Sequence, residues 1–363
     1  MPARVILAMS GGVDSSVAAV LLKQKGYEVI GLFMRTGVHD EQEEIPAHKK
    51  GCCSAMDAGD ARRVADQLDI PFYALDFEND FGKIIDYFAD EYLRGRTPNP
   101  CVVCNNWLKF GKLWSYGRQL QADYVATGHY AQVLSREGRH ELHRGADPEK
   151  DQSYVLFGID RELLPRLLFP VGGYQKSQIR RLARESGLGL CDKPDSVEIC
   201  FVPGGDHVQV IRQRRPDADT AGEIVDTSGK VLARHSGIEK FTVGQRKGLG
   251  FAAGSRRFVL EIIPQENRVV VGDREDLLAK ELLASRTNWL IEPPTKPVLC
   301  QAKIRYRHQA AEAVVFPETD DWVRVVFSEP QQAITPGQAV VFYEGTRVLG
   351  GGWIEQAERK TTV

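Results

Sequence analysis

The stretch Ala8-Met9-Ser10-Gly11-Gly12-Val13-Asp14-Ser15-Ser16 constrains this chain more than any other. It follows the apolar run Val5-Ile6-Leu7 and leads into a helical pattern, so it reads as the connection from a buried strand to a helix. Adjacent glycines permit backbone angles closed to other residues, which lets consecutive N–H groups turn toward one anion. A helix beginning near Asp14 aims its unpaired N–H groups and positive dipole end at the same point. Ser10, Ser15 and Ser16 add hydroxyl donors. The competing reading is a tight turn with a good helix cap.

Residue order excludes two other phosphate loops, because there is neither Lys-Ser/Thr after the last glycine nor G-x-G-x-x-G. Ser10-Gly11-Gly12-Val13-Asp14-Ser15 instead resembles the PP-loop (SGGxDS) of the ATP pyrophosphatases, which hold the pyrophosphate end of ATP and transfer AMP to an oxygen.

The rest of the first half supports a strand-to-helix context. Residues 3–9 read as a strand, 14–25 as a helix closed by Gly26, and Glu28–Met34 as a second strand. Asp57–Leu68, Phe81–Leu93, Asn106–Leu120 and Tyr174–Ser186 have helical periodicity, and Pro71–Phe77 and Asp123–Thr127 are strand-like. The fold class expected is α/β, with an N-terminal doubly wound parallel sheet. Ligands of such sheets sit beyond the carboxyl ends of strands, which places Met34 and Gly128 beside the Ser10 loop. Gly128 leaves room for a nucleotide base or ribose near the backbone. From Gly204 onward, glycine-rich turns separate short strands, and Trp289 to Trp353 alternates as a β-barrel would, with Ala302–Arg307 among its runs. The expected division is a catalytic domain over 1–206, a small mixed or β central domain over 207–284, and a C-terminal antiparallel β-barrel over 285–363.

Charge and cysteine content narrow the partners. The net charge of −2 does not announce a nucleic-acid protein, yet Asp206–Arg257 holds ten Lys/Arg against six Asp/Glu. Within it, Lys240-Phe241-Thr242-Val243-Gly244-Gln245-Arg246-Lys247-Gly248-Leu249-Gly250 suits a phosphate backbone. No apolar run approaches the ~18 residues of a membrane span and no signal-peptide pattern opens the chain, so the expected location is the cytoplasm. There seven cysteines are thiols available for chemistry or metal ligation. Cys101-Val102-Val103-Cys104 follows a proline-rich turn, and Cys104 lies just before the helix expected at Asn106, with Arg94 and Arg96 nearby; both features ease ionisation. This pair reads as a redox dithiol, half of a metal site completed by Cys200, or an incidental pair, and the redox reading is weak because the motif follows a proline turn outside the first βαβ unit. Cys200 falls in a short apolar, strand-like run, where a buried cysteine is the plain alternative. His39, His48 and Cys52-Cys53 lie in a long polar loop, but adjacent cysteines suit one metal poorly. Arg180, Arg181 and Arg184 fit a solvated helix face as well as a binding surface.

The PP-loop together with Thr97-Pro98-Asn99-Pro100, Cys104-Asn105, Gly128-His129-Tyr130, Lys150-Asp151-Gln152-Ser153-Tyr154, Asp195-Ser196, Ile199-Cys200-Phe201 and Gly244–Gly250 resembles the tRNA-specific 2-thiouridylases, the MnmA/TrmU family. The match runs in order over nearly the whole chain. The resemblance implies 2-thiolation of the wobble uridine of tRNA, with ATP and Mg²⁺. It implies that Ala8, Met9, Ser10, Gly11, Gly12, Val13, Asp14, Ser15, Met34 and Gly128 bind ATP, and that the uridine C2 oxygen is adenylated. Cys200 would carry a persulfide from a cysteine desulfurase or sulfur-relay protein, with Cys104 as its catalytic partner. Asn99, Pro100, Cys101, His129, Lys150, Asp151, Gln152, Arg305, Tyr306 and Gln338 match tRNA-contact positions. Many members carry Asp where this chain has Cys101, so an acid/base role assigned to that Asp does not transfer to this chain. The substitution leaves open an iron–sulfur cluster on Cys101, Cys104 and Cys200. Two further readings are a PP-loop ATPase with a non-tRNA acceptor and a non-catalytic RNA- or metal-binding protein.

Overall fold

The computed structural model describes residues 2–37, 55–195, 199–251, 256–319 and 321–359. His39, His48, Cys52-Cys53 and Ser196 lie outside the described residues. The chain forms two units: Met1–Ile84 with Cys101–Asp206 and Thr346–Val348, and Ile85–Pro100 with His207–Gly345 and Leu349–Val363.

The first unit begins with β1 (Arg4–Ala8), α1 (Val13–Gln24) and β2 (Glu28–Arg35). It continues through α2 (Ala55–Gln67), β3 (Phe72–Asp76) and α3 (Glu78–Leu93), whose later turns belong to the second unit. After α4 (Pro100–Val103), a nine-residue π-helix (Cys104–Lys112) and α5 (Leu113–Gln119) come β4 (Tyr124–Thr127), the hairpin β5 (Ala131–Arg136) and β6 (Arg139–Arg144), β7 (Leu167–Leu168) and α6 (Lys176–Glu185). The strands β3-β2-β1-β4-β7 form one sheet, every neighbour parallel.

Burial explains why β1 is continuously apolar. Val5 and Leu7 join a core made with α1, α2 and α6, while Ile6 meets Gly117 of α5 on the opposite face. A strand covered on both faces has no polar alternation. From β1 the chain adds β2 and β3 on one side and β4 and β7 on the other, so the connections after β1, β2 and β4 emerge together at the switch in strand order.

Three local expectations are corrected. Pro100 opens a helix instead of preventing one, because proline's missing N–H is harmless at a first helical position. Cys104 therefore lies inside a helical chain running from Pro100 to Gln119, and not just ahead of a helix N-terminus. Ile199–Val202 is a turn closed by the Val202 N–H on the Ile199 carbonyl (2.9 Å), not a strand, and Cys200 is half-buried. Arg305-Tyr306-Arg307 lies in an exposed turn past β13 (Val298–Lys303), because the alternation of Ala302–Arg307 outlasts its pairing.

The second unit carries α7 (His207–Arg214) and a small sheet of β8 (Gly222–Asp226), β9 (Val231–His235), β10 (Phe258–Ile263) and β11 (Arg268–Gly272), in the order β10-β11-β8-β9. β12 (Leu278–Trp289), β13, β14 (Ala311–Pro317), β15 (Val323–Gln332), β16 (Ala339–Glu344) and β17 (Arg347–Arg359) then form an antiparallel barrel, closed by β12 on β17. Val315, Val325, Phe327, Phe342 and Ile354 fill it, and closure leaves no strand edge to be capped. Among the described residues no helix is long and apolar enough to cross a membrane.

Candidate active site

The Ser10 loop is held from within. Gly12 caps α1, and its carbonyl accepts the Ser16 N–H (3.2 Å) and the hydroxyls of Ser15 (3.2 Å) and Ser16 (2.9 Å). The Ser10 N–H donates to Ser15 Oγ at 3.2 Å. The Ser16 hydroxyl thus builds the loop instead of adding a donor for an anion. Gly11 has φ +70°, and a Cβ there would lie 2.2 Å from the Asp57 carbonyl. Only glycine fits. At Gly128 a Cβ would lie 2.8 Å from the Ser15 nitrogen, so the close approach that this glycine permits is to the start of α1.

Around the loop the fold gathers charges distant in sequence. Asp14 Oδ1 accepts the Tyr130 hydroxyl at 2.8 Å, and Lys176 Nζ reaches both Asp14 oxygens at 2.8 and 2.9 Å. Lys176 also pairs with Asp195 Oδ1 at 2.9 Å, Lys150 with Asp195 Oδ2 at 2.9 Å, and Arg180 with Asp195 Oδ1 at 3.1 Å. Burial would raise the Asp195 carboxyl, but Lys176 and Lys150 overcome it and hold the group below its usual range. The hydrogen bond to Asp195 holds the Lys150 ammonium above its ordinary value. Burial, then the Asp14 charge, drives Tyr130 far upward, so its hydroxyl stays a donor. On the other flank Lys193 Nζ binds the Gly11 carbonyl (2.8 Å) and the carboxylates of Asp57 and Asp60 (2.6 Å each). An arriving polyphosphate would compete with carboxylates for cations already converged at the loop.

Several expected tRNA-contact positions spend their side chains on the protein. Asp151 is buried and accepts the N–H groups of Gly145 (3.1 Å) and Ser153 (3.0 Å). Gln152 Oε1 accepts the Tyr130 N–H at 2.9 Å. His129 is buried, shares a 2.7 Å hydrogen bond with Thr127 Oγ1, and is kept neutral by burial and then by the Lys109 charge. In the second unit the Gln338 amide donates to the carbonyls of Thr97 (3.0 Å) and Pro98 (3.1 Å), fixing the chain that leads into Asn99 and the buried Pro100. Arg305 and Tyr306 are exposed, with the Lys303 ammonium 5.6 Å from the Tyr306 ring centre. Arg246, Arg256 and Arg274 line an open depression of about 550 Å³ with Asp273 and Glu275.

Both cysteine-bearing segments pack on one turn of α3. Asp80 Oδ1 accepts Lys112 Nζ at 2.5 Å and the Lys83 ammonium sits 5.4 Å from the Trp107 ring centre, both partners lying on the π-helix that Cys104 opens. Phe81 meets Phe201, beside Cys200, edge to face at 5.7 Å. Cys101 is exposed and Cys104 half-buried. Among the described residues no three His, Cys, Asp or Glu side chains converge as metal ligands.

Lys176, Lys193, Asp57 and Asp60 escaped the sequence reading. The i, i+3 acidic pair on α2 was the only local signal. The three arginines divide: Arg180 turns inward to the Cys191 carbonyl (2.7 Å) and Asp195, while Arg181 and Arg184 pair with Glu185 and Asp192 toward solvent.

The chain matches three family models: a tRNA methyl transferase HUP domain over residues 3–204, a tRNA methyl transferase PRC-barrel domain over 209–273, and an aminomethyltransferase beta-barrel domain over 279–354. It is 50% identical to a tRNA-specific 2-thiouridylase MnmA of Rhodopirellula baltica, covering 98% of this chain and 96% of the relative. It is 49% identical to one of Carboxydothermus hydrogenoformans, covering 97% and 98%. A solved 4-thiouridine synthetase in complex with RNA and bound ATP aligns at a TM-score of 0.36 with 16% identity, over 59% of this chain and 51% of that one, too distant to carry an argument.

Proposed function

Because this chain belongs to the tRNA-specific 2-thiouridylase family, we propose that it is an ATP-dependent tRNA-uridine 2-sulfurtransferase acting on the wobble position. The observation that carries the reading is the Ser10–Ser15 loop at the strand-order switch, rimmed by Lys150, Lys176 and Arg180. Ala8 to Ser15, Met34 and Gly128 bind ATP, and Mg²⁺ arriving with the nucleotide would neutralise the leaving pyrophosphate. The uridine C2 oxygen attacks the α-phosphorus, the bond to the β-phosphate oxygen breaks, and pyrophosphate leaves. The outer sulfur of a Cys200 persulfide then attacks C2 and AMP departs with the former carbonyl oxygen. Cys104 thiolate attacks the inner sulfur, which releases the 2-thio group and leaves a Cys104–Cys200 disulfide for a cellular thiol to reduce. A cysteine desulfurase or sulfur-relay protein supplies the persulfide.

Asn99, Cys101, Lys150, Arg305 and Tyr306 contact the tRNA, while the buried Pro100, His129 and Asp151, with Gln152 and Gln338, hold the backbone of their own units. The division at 1–206, 207–284 and 285–363 is part of the same proposal. The persulfide route on Cys200 and Cys104 is preferred to a cluster on Cys101, Cys104 and Cys200. Iron bound stoichiometrically after anaerobic purification, with thiolation lost on its removal, would reverse that preference.

The test is twofold. tRNA should stimulate pyrophosphate release by the purified protein, and mass spectrometry of tRNA from cells lacking the gene should show 2-thiouridine derivatives missing. Pyrophosphate release indifferent to tRNA would instead favour another acceptor.

A further inference from the structure

We infer that Lys193 is a positioning residue which sets the phosphate-facing geometry of the Ser10–Ser15 loop, an inference that rests on the reading of that loop as the ATP site. An ammonium group has three donors, and Lys193 directs them at three oxygens: Gly11 O at 2.8 Å, Asp57 Oδ1 at 2.6 Å and Asp60 Oδ2 at 2.6 Å. With its donors so committed, Lys193 acts on the nucleotide through the loop.

The peptide plane transmits the effect. A trans peptide holds the Gly11 carbonyl and the Gly12 N–H on opposite sides. Drawing the carbonyl toward α2 turns the N–H away from α2, the orientation a backbone anion cradle requires. The loop is pressed against α2 at the same point, because the Gly11 position leaves no room for a Cβ beside the Asp57 carbonyl. Lys193 also screens the Asp57 carboxylate and shares Asp60 with Arg63, the two acids being only 10% and 8% exposed at their side chains. Burial works against its charge, but the two carboxylates prevail and hold the ammonium above its ordinary range. Lys193 therefore orients one loop donor and, with Arg63 paired to Asp60, balances the charge of the two acids.

The experiment compares wild type, Lys193→Met and Asp57→Asn/Lys193→Met as full-length proteins. It measures tRNA-dependent pyrophosphate release over varied ATP and varied tRNA, together with Tm. Lys193→Met should raise KM for ATP about 10- to 100-fold, the size expected for losing a charge-assisted contact, and leave KM for tRNA unchanged. The double variant should recover part of that loss, since it removes one carboxylate left facing the loop, an effect that a purely structural role would not produce. An unchanged KM for ATP in Lys193→Met overturns the inference, as does an equal rise in both KM values without recovery in the double variant. If wild type itself releases no pyrophosphate with tRNA, the ATP reading of the loop fails and Lys193 falls with it.

Discussion

Among the carboxylates in this protein that attract cations, Glu239 and Asp195 have surroundings that differ in a way that separates a site from scaffold. Glu239 in the second unit is fully buried, and Arg212 and Thr220 answer it, with Thr220 Oγ1 at 2.6 Å. Asp195 in the first unit keeps a side chain 29% exposed and holds Lys150, Lys176 and Arg180 at once. One fully buried carboxylate facing one guanidinium leaves nothing to exchange. Three cations on one half-exposed carboxylate beside a phosphate loop leave positive charge that an incoming anion can claim. Surplus and access distinguish the two, and ion pairing alone does not.

The contrast gains most from separating the nucleotide step from the sulfur step. Cys200→Ser and Cys104→Ser should each cut thiolation on the order of 10³-fold or more, as loss of a nucleophile does, while tRNA binding and tRNA-dependent pyrophosphate release persist. Thiolation retained in either variant, read by mass spectrometry of the tRNA product, would break the assignment. Glu239→Ala should act on stability alone: Thr220 and the 35% exposed Arg212 lose their shared carboxylate at a cost of about 1–3 kcal/mol, seen as a lowered Tm or denaturation midpoint, while the folded fraction keeps its KM for ATP. Lys176→Met should do the reverse, raising KM for ATP about tenfold or more with little change in Tm. If Lys176→Met and Glu239→Ala gave the same signature, the distinction would be lost.

The smallest effect is the pH dependence of Asp195. Its folded carboxyl titrates below its ordinary value, so its contribution is complete above the unfolded pKa of about 3.9 and is lost as pH falls through the folded value. Because the group is partly exposed, the gap in stability between wild type and Asp195→Asn should be about 1 kcal/mol or less. Thermal melts between pH 3 and 7 should show that gap near neutrality and see it close on the acid side. A gap that widened below pH 4 would contradict the paired state of Asp195.

Local pattern was enough for the parts of the fold whose driving force is local. The uninterrupted Val5-Ile6-Leu7, ending at a glycine-rich turn before a helical pattern, reads as a strand covered on both faces, and Gly26, at φ +80°, ends α1 where a left-handed residue was needed. The helical start at Pro100 was missed because a proline marks either a break or a first turn, depending on the residues after it. The turn at Cys200 was missed because a short apolar run is silent about its pairing partner.

By itself the sequence determined the glycine loop at Ser10, the parallel sheet that presents it, the closing barrel and the resemblance to the 2-thiouridylases, since each rests on residue order or on a short period. Only the tertiary structure decided which cations serve that loop. Lys176 and Lys193 stand 162 and 182 residues from the Asp14 and Gly11 groups they bind, and Lys150 meets Asp195 across 45. Long flexible side chains carry no periodic signal, and their electrostatic partners are chosen by where the folded backbone brings them, which no local window can contain.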